Sequence, residues 1–225
     1  TPSASSQSVA ELVMGHLFSL SRSLHHSNRA MPEGGSENFK VLKKQYSKGS
    51  ELRGKTLGIV GFGRIGRSLA SYALGCGMKV IAHDRFAENS EVEVNVGDIS
   101  LSIECPIKSM EEILRESDAV SLHIPAQGNG KAVIGADQMA MMKPGAILLN
   151  AARGGVVDED ALLAALDSGQ ISGAALDVFV GEPAPRADVL AHPAISLTPH
   201  TGAATAEAQD RIGLELASQI AELVK

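Results

Sequence analysis

From Thr56 onward, six apolar, β-prone runs alternate with helix-patterned segments across short connections, and this alternation restricts the fold of the 225-residue chain more than any other feature. The strand-like runs fall at 56–60, 79–83, 119–123, 146–150, 173–178 and 195–198, and the helical ones at 64–75, 109–116, 135–142, 158–168 and 203–224. Strand–helix–strand units with short links require parallel strands and right-handed crossovers, so the spacing predicts an α/β fold with a doubly wound, mostly parallel sheet. Local signals agree. Asp158 is placed to cap a helix that Gly169 closes, and Lys143-Pro144-Gly145 stops the helix before it. Phe86 to Pro106 is acidic and β-branched, and an irregular strand is expected there.

Ahead of the alternating region, residues 8–24 read as an amphipathic helix. Val9, Leu12, Val13, Leu17, Leu20 and Leu24 recur at helical spacing, and Ser8 with Glu11 suggests a capping box. His25 to Gly54 loses that period: Pro32, Gly34, Gly35, Asn38 and Gly49 point to a loop or surface arm, with Lys40, Lys43, Lys44 and Lys48 on a solvated face. Three parts are expected: 1–53 as a crossover helix and dimerisation arm, 54–202 as the nucleotide-binding domain, and 203–225 as a C-terminal helix.

Composition narrows the function. A net charge of −6 argues against a nucleic-acid backbone as partner, because phosphate binding needs a basic face, and no nucleic-acid partner is expected. Leu12 to Leu24 is too short to span a bilayer, is broken by His16 and Arg22, and lacks the basic leader of a signal peptide, so no membrane association is expected. Cys76 and Cys105 have no metal-ligand spacing, and His25-His26 has no third ligand nearby. The plain expectation is a reduced, cytoplasmic protein without a metal.

Gly61-Phe62-Gly63-Arg64-Ile65-Gly66 matches G-x-G-x-x-G between an apolar strand and a helix, the setting that gives the pattern its mechanism. Gly61 permits the turn, Gly63 lets backbone approach a pyrophosphate, and Gly66 lets helix and strand pack closely. The helix N-terminus offers free N–H groups to the diphosphate. Asp84 ends the second strand, 18 residues past Gly66, where a carboxylate accepts from ribose hydroxyls and repels a 2′-phosphate. NAD is favoured over NADP, with Arg85 as the contrary signal.

Three further strands end in groups suited to acid–base or anion chemistry: Arg153, Glu182 and His200. Ligands of open α/β sheets bind beyond the carboxyl ends of the strands, so one crevice can receive all three. Removing hydride from an alcohol carbon needs a base for the hydroxyl proton, which suits His200. A carboxylate such as Glu182 can fix its tautomer, and Arg153 can grip a substrate carboxylate with paired donors.

In order and spacing, Leu57 to Gly66, His123-Ile124-Pro125, Met142 to Gly145, Asn150 to Gly155, Ala175 to Phe179 with Glu182-Pro183, and Thr198 to Gly202 resemble the D-2-hydroxyacid dehydrogenases. The resemblance implies a Rossmann-type cofactor domain acting on small 2-hydroxy or 2-oxo acids, with NAD as cofactor. It implies Arg153, Glu182 and His200 as the catalytic set. It also places Gly61, Gly63, Arg64, Ile65, Gly66, Asp84, His123, Pro125, Ala151 and Gly202 along the cofactor, with Arg153 and His200 at its reactive end. Asp177 matches the aspartate that orients the nicotinamide carboxamide. Within the family, Thr1 to Arg22 and Thr201 to Lys225 point to the phosphoglycerate-oxidising branch of serine biosynthesis. Homodimers through the cofactor domain are likewise implied.

Family members carry a substrate domain ahead of this segment, and its apparent absence here suggests a fragment. Ser5-Ser6 replaces an Asn-Thr pair, and Gln127 to Lys131 replaces a threonine-bearing loop. An NAD(H)-sensing module of the same fold, like the corepressors, is the competing reading, and a structural dimerisation unit is a third.

Overall fold

The computed structural model describes residues 4–87, 90–128 and 130–223. The expected opening at Thr1-Pro2, Asn129 of the 127–131 loop and the helix end at Val224 lie outside the described residues. The first half of the chain forms α1 (Ser6–Arg22), α2 (Leu24–Gln45), β1 (Thr56–Val60), α3 (Arg64–Gly75), β2 (Lys79–His83), β3 (Glu91–Val96), β4 (Ile99–Glu104) and α4 (Met110–Glu116). The second half forms β5 (Ala119–Leu122), α5 (Ala136–Met141), β6 (Ala146–Asn150), α6 (Glu159–Asp167), β7 (Ile171–Leu176), α7 (Ala187–Ala191), β8 (Ile195–Leu197) and α8 (Ala206–Leu223).

Six strands make one parallel sheet in the order β2-β1-β5-β6-β7-β8. The chain winds outward from β1 in both directions, which opens a crevice at the carboxyl ends of β1 and β5. Adjacent residues of each strand serve opposite faces, as the pleat requires. Leu57 and Ile59 pack with α1 and α3, whereas Val60 packs with α4 and α5. Leu149 and Ala175 join the first layer, and Leu148 and Ala174 the second. Helices therefore cover both faces, and the strands read as continuous apolar runs.

Helix ends follow their caps. Asp158 accepts from the Ala161 N–H at 3.1 Å, and Gly169 beyond α6 has φ +75°. Ser109 and Glu112 form a reciprocal capping box at α4. The box expected at Ser8 is not formed. Helix α1 begins two residues earlier, Ser8 lies within it and meets the Thr205 hydroxyl at 2.8 Å, and Glu11 accepts from Gln7 and Tyr72.

Two further expectations need correction. Residues 24–45 are helical, not loop: α2 carries Pro32 inside it and a non-helical Asn38, and it buries no residue. The stretch after β2 is not one irregular strand but an antiparallel hairpin, β3–β4, whose Val92 and Val94 are buried on the α3 side of the sheet. A short parallel bridge between Ala82 and Ile107 then continues the sheet edge beyond β2.

Gly154 sets the distance between the loop after β6 and the backbone after β7, because a Cβ there would collide with the Phe179 carbonyl. Gly154→Ala is expected to destabilise the protein by roughly 2 kcal/mol or more in chemical denaturation, which an exposed glycine would not do. A wild-type midpoint would show that the two loops do not meet so closely.

Candidate active site and cofactor crevice

The turn after β1 explains two of its glycines by contacts within the protein. Gly61 has φ +96° and donates its N–H to the His83 carbonyl at 2.8 Å. A Cβ on Gly61 would strike the His123 carbonyl, and one on Gly66 the Gly61 carbonyl. Gly63 is different: nothing lies within 4 Å of a Cβ built there. Its lack of a side chain leaves open space at the N-cap of α3, where the first turn exposes unpaired N–H groups. Gly63, Arg64, Ile65, Gly66 and His123 line this crevice, whose volume is about 290 Å³. An anion such as a pyrophosphate fits that cradle.

Asp84 is drawn toward the same turn. One of its carboxylate oxygens accepts from the Phe62 N–H and the other from the Phe86 N–H, both at 2.7 Å. Each oxygen keeps a second acceptor direction for a hydroxyl. His123 is half-buried, with Nε2 and the Ser121 hydroxyl 2.9 Å apart, while its Nδ1 is buried with no protein partner. Burial pushes its pKa down to about 4, so a neutral ring faces the crevice. Such a ring is a poor base at neutral pH. Pro125 is exposed in the loop that leaves β5.

At the far end of the sheet the three candidate catalytic groups come together. Glu182 accepts from the Phe179 N–H at 2.8 Å through one oxygen, and its other oxygen lies 2.7 Å from His200 Nδ1. The hydrogen bond from His200, then the Phe179 N–H, holds the Glu182 carboxyl below its usual range, and the Arg153 guanidinium is close enough to lower it further. Arg153 is exposed and donates through Nη1 to the Ala152 carbonyl at 2.6 Å, leaving its other N–H groups for a ligand. With Nδ1 facing Glu182, the ring of the exposed His200 leaves Nε2 without a part in that contact.

The loop that carries His200 hangs on Asp177, which is 2% exposed. Its Oδ1 accepts from the Thr198 hydroxyl at 2.6 Å and the Thr201 N–H at 2.8 Å, and its Oδ2 accepts from the Gly202 N–H at 2.9 Å. Asp177 is thus already engaged by the protein, and Gly202 is close-packed on it. Ala151 borders the same region beside Asp177 and His16. Sequence reasoning placed His16 only on a helix face and passed over Glu159. The structure buries both, and Glu159 accepts from the Val180 N–H at 2.9 Å, steadying the turn before Glu182. The one legible signal for His16 was its place within the apolar stripe of α1.

Gly63, with open space around it, and Gly66, packed on backbone, separate binding from folding. Gly63→Ala should keep the wild-type melting temperature to within about 2 °C yet weaken NADH binding by an order of magnitude or more in fluorescence titration. Gly66→Ala should lose stability first, because its neighbour is backbone and cannot yield. Unchanged NADH affinity in the Gly63 variant would remove the cradle from the binding site.

Comparison with known proteins places the chain in a family. Residues 14–202 match the D-isomer specific 2-hydroxyacid dehydrogenase, NAD binding domain family. The chain is 40% identical over 223 residues to a hydroxypyruvate reductase of Thermotoga maritima, covering 98% of this chain and 67% of that protein. It is 40% identical over 225 residues to the D-3-phosphoglycerate dehydrogenase of Homo sapiens, covering 100% of this chain and 40% of that one. The crystal structure of a glyoxylate reductase from Paecilomyes thermophila superposes with a TM-score of 0.82 at 31% identity, over 95% of this chain and 61% of that one. The chain therefore spans two fifths to two thirds of the length of these relatives, and it belongs to the NAD-binding domain family of the D-isomer specific 2-hydroxyacid dehydrogenases.

Proposed function

We propose that this chain is the cofactor-binding and proton-transferring part of an NAD-dependent D-2-hydroxyacid dehydrogenase, acting on a three-carbon acid of the 3-phosphoglycerate class in serine biosynthesis. The observation that carries the activity is the 2.7 Å contact between His200 Nδ1 and Glu182. A histidine held against a carboxylate through Nδ1 in an exposed position speaks against a pure NAD(H) sensor, which needs no proton-transferring pair. The substrate class rests on the kinship with phosphoglycerate dehydrogenases and a hydroxypyruvate reductase, whose names share a three-carbon acid skeleton.

NAD, when bound, supplies the hydride acceptor for oxidation of the alcohol carbon. The chain's residues do the rest. In the neutral ring Nδ1–H donates to Glu182, so the Nε2 lone pair takes the hydroxyl proton as the carbonyl forms. Glu182, anchored by the Phe179 N–H, then stabilises the imidazolium. Arg153 holds the substrate carboxylate through paired guanidinium donors and polarises the adjacent oxygen. Gly63 and the start of α3 take the pyrophosphate, and Asp84 takes the ribose hydroxyls and disfavours a 2′-phosphate. His123, Pro125, Ala151 and Gly202 border the cofactor.

Pairing of two cofactor domains belongs to the same reading. Helix α2 buries none of its own residues and exposes Leu24, Met31, Phe39 and Val41, an apolar surface that a second copy would cover. Among the described residues no helix is long and apolar enough to cross a membrane. The unpaired thiols Cys76 and Cys105 suit a reducing, cytoplasmic setting.

Steady-state assays of the full-length protein, reducing 3-phosphohydroxypyruvate, hydroxypyruvate and simpler 2-oxo acids with NADH, test the function. His200→Asn should lower kcat by a factor on the order of 10² to 10⁴, and Glu182→Gln by about 10². Arg153→Lys should mainly raise KM for the acid. No turnover with any acid would favour the sensor. Light scattering at micromolar concentration should give a dimer, which Met31→Glu with Phe39→Glu dissociates; a wild-type monomer would contradict the pairing.

A further inference from the structure

Helix α1 reaches the His200 loop through a line of buried polar groups, and hydrogen counting fixes its direction. His16, 7% exposed, has Nδ1 at 2.8 Å from the Ser196 hydroxyl and Nε2 at 3.1 Å from the Thr198 hydroxyl. Thr198 has one hydroxyl proton, and it goes to the Asp177 carboxylate at 2.6 Å. Toward His16, therefore, Thr198 can only accept, so His16 carries its proton on Nε2. A neutral ring then has a bare Nδ1, and the Ser196 hydroxyl must donate to it. Burial lowers the His16 pKa, with the Asp177 charge acting the other way, which favours the neutral ring at physiological pH. Every bond in the chain Ser196–His16–Thr198–Asp177 points toward the carboxylate.

That carboxylate is the anchor of the loop. It also holds the N–H groups of Thr201 and Gly202, the two residues after His200, whose own φ is +54°. A non-glycine residue in the left-handed region is held there at a cost by its surroundings. If Thr198 loses the His16 donor, its hydroxyl keeps only the bond to Asp177 and loses the second contact that fixes its rotamer, so one of the ties on the strained segment loosens.

We propose that His16 is a positioning residue for the proton-transferring histidine: by donating to Thr198 it commits the Thr198 hydroxyl to Asp177 and so locks the 198–202 loop with His200 against Glu182. This rests on the dehydrogenase reading above only for its kinetic consequence; the locking of the loop stands independently. It makes the packing of α1 part of the site, through a buried ring whose nitrogens both meet hydroxyls of the protein.

The test compares His16→Phe, which keeps a planar ring but no nitrogen, with His16→Gln, whose amide retains one donor and one acceptor. In the full-length protein, His16→Phe should lower kcat about tenfold and change KM for the 2-oxo acid less than twofold. Amide exchange at Thr201 and Gly202 should quicken about tenfold relative to core amides of β5 and β6. His16→Gln should recover most of both effects. If His16→Phe proves too unstable, Thr198→Val cuts the same line one bond further on and should show the same pair of changes. Wild-type kcat and exchange in both His16→Phe and Thr198→Val would overturn the proposal. So would a Gln variant as impaired as Phe, with losses that track global stability alone. Should the wild type itself turn over no 2-oxo acid, the dehydrogenase reading has failed, and the exchange measurement alone decides the role of His16.

Discussion

One buried carboxylate holds the candidate site together. Asp177 stands at the end of the strand before the last, within the sheet core, and it collects a hydroxyl and two backbone N–H groups from the segment that carries His200. A buried carboxylate is costly unless its lone pairs are satisfied, and here the satisfying groups belong to the loop that the site needs fixed. The position of His200 is therefore tied to the same free energy that allows Asp177 to be buried. Glu182 is fixed by similar means, from the Phe179 N–H on its own turn.

The two ends of the crevice use different physics. At the glycine turn, backbone packs on backbone so tightly that Gly61 and Gly66 admit no Cβ, and the open position at Gly63 is where a ligand has room. At the other end, charge does the arranging: a carboxylate, an imidazole and a guanidinium lie close together and exposed to solvent, each with hydrogen-bonding capacity left over. Rigid backbone suits a cofactor that must be held in register, and incompletely satisfied side chains suit a reacting group.

Much of this was legible in the residues. Parallel strands buried on both faces announce themselves as short apolar runs between helical patterns, and every strand of the main sheet falls within about two residues of its sequence-based span. The hairpin β3–β4 was missed although the residues carry its signal: Val92, Val94, Val96, Ile99, Leu101 and Ile103 alternate with polar residues around Gly97-Asp98 and pair across the two strands. Helix α2 was missed for a different reason. Pro32, Gly34 and Gly35 lower its intrinsic propensity, and no apolar stripe marks a face turned to its own core. Arg153, Glu182 and His200 stood out because each follows a strand; His16 did not, because only the tertiary fold brings the end of β8 against α1. Hydrogen-bond partners 180 residues apart leave no trace in local spacing.

A structure of the full-length protein with NADH and an unreactive 2-oxo acid analogue tests the central claim most directly. The analogue's carbonyl oxygen is expected at about 2.6–3.2 Å from His200 Nε2, its carboxylate on the Arg153 guanidinium, and His200 Nδ1 still on Glu182. An analogue bound away from these three groups, or a His200 ring turned from Glu182 with the crevice filled, would contradict it.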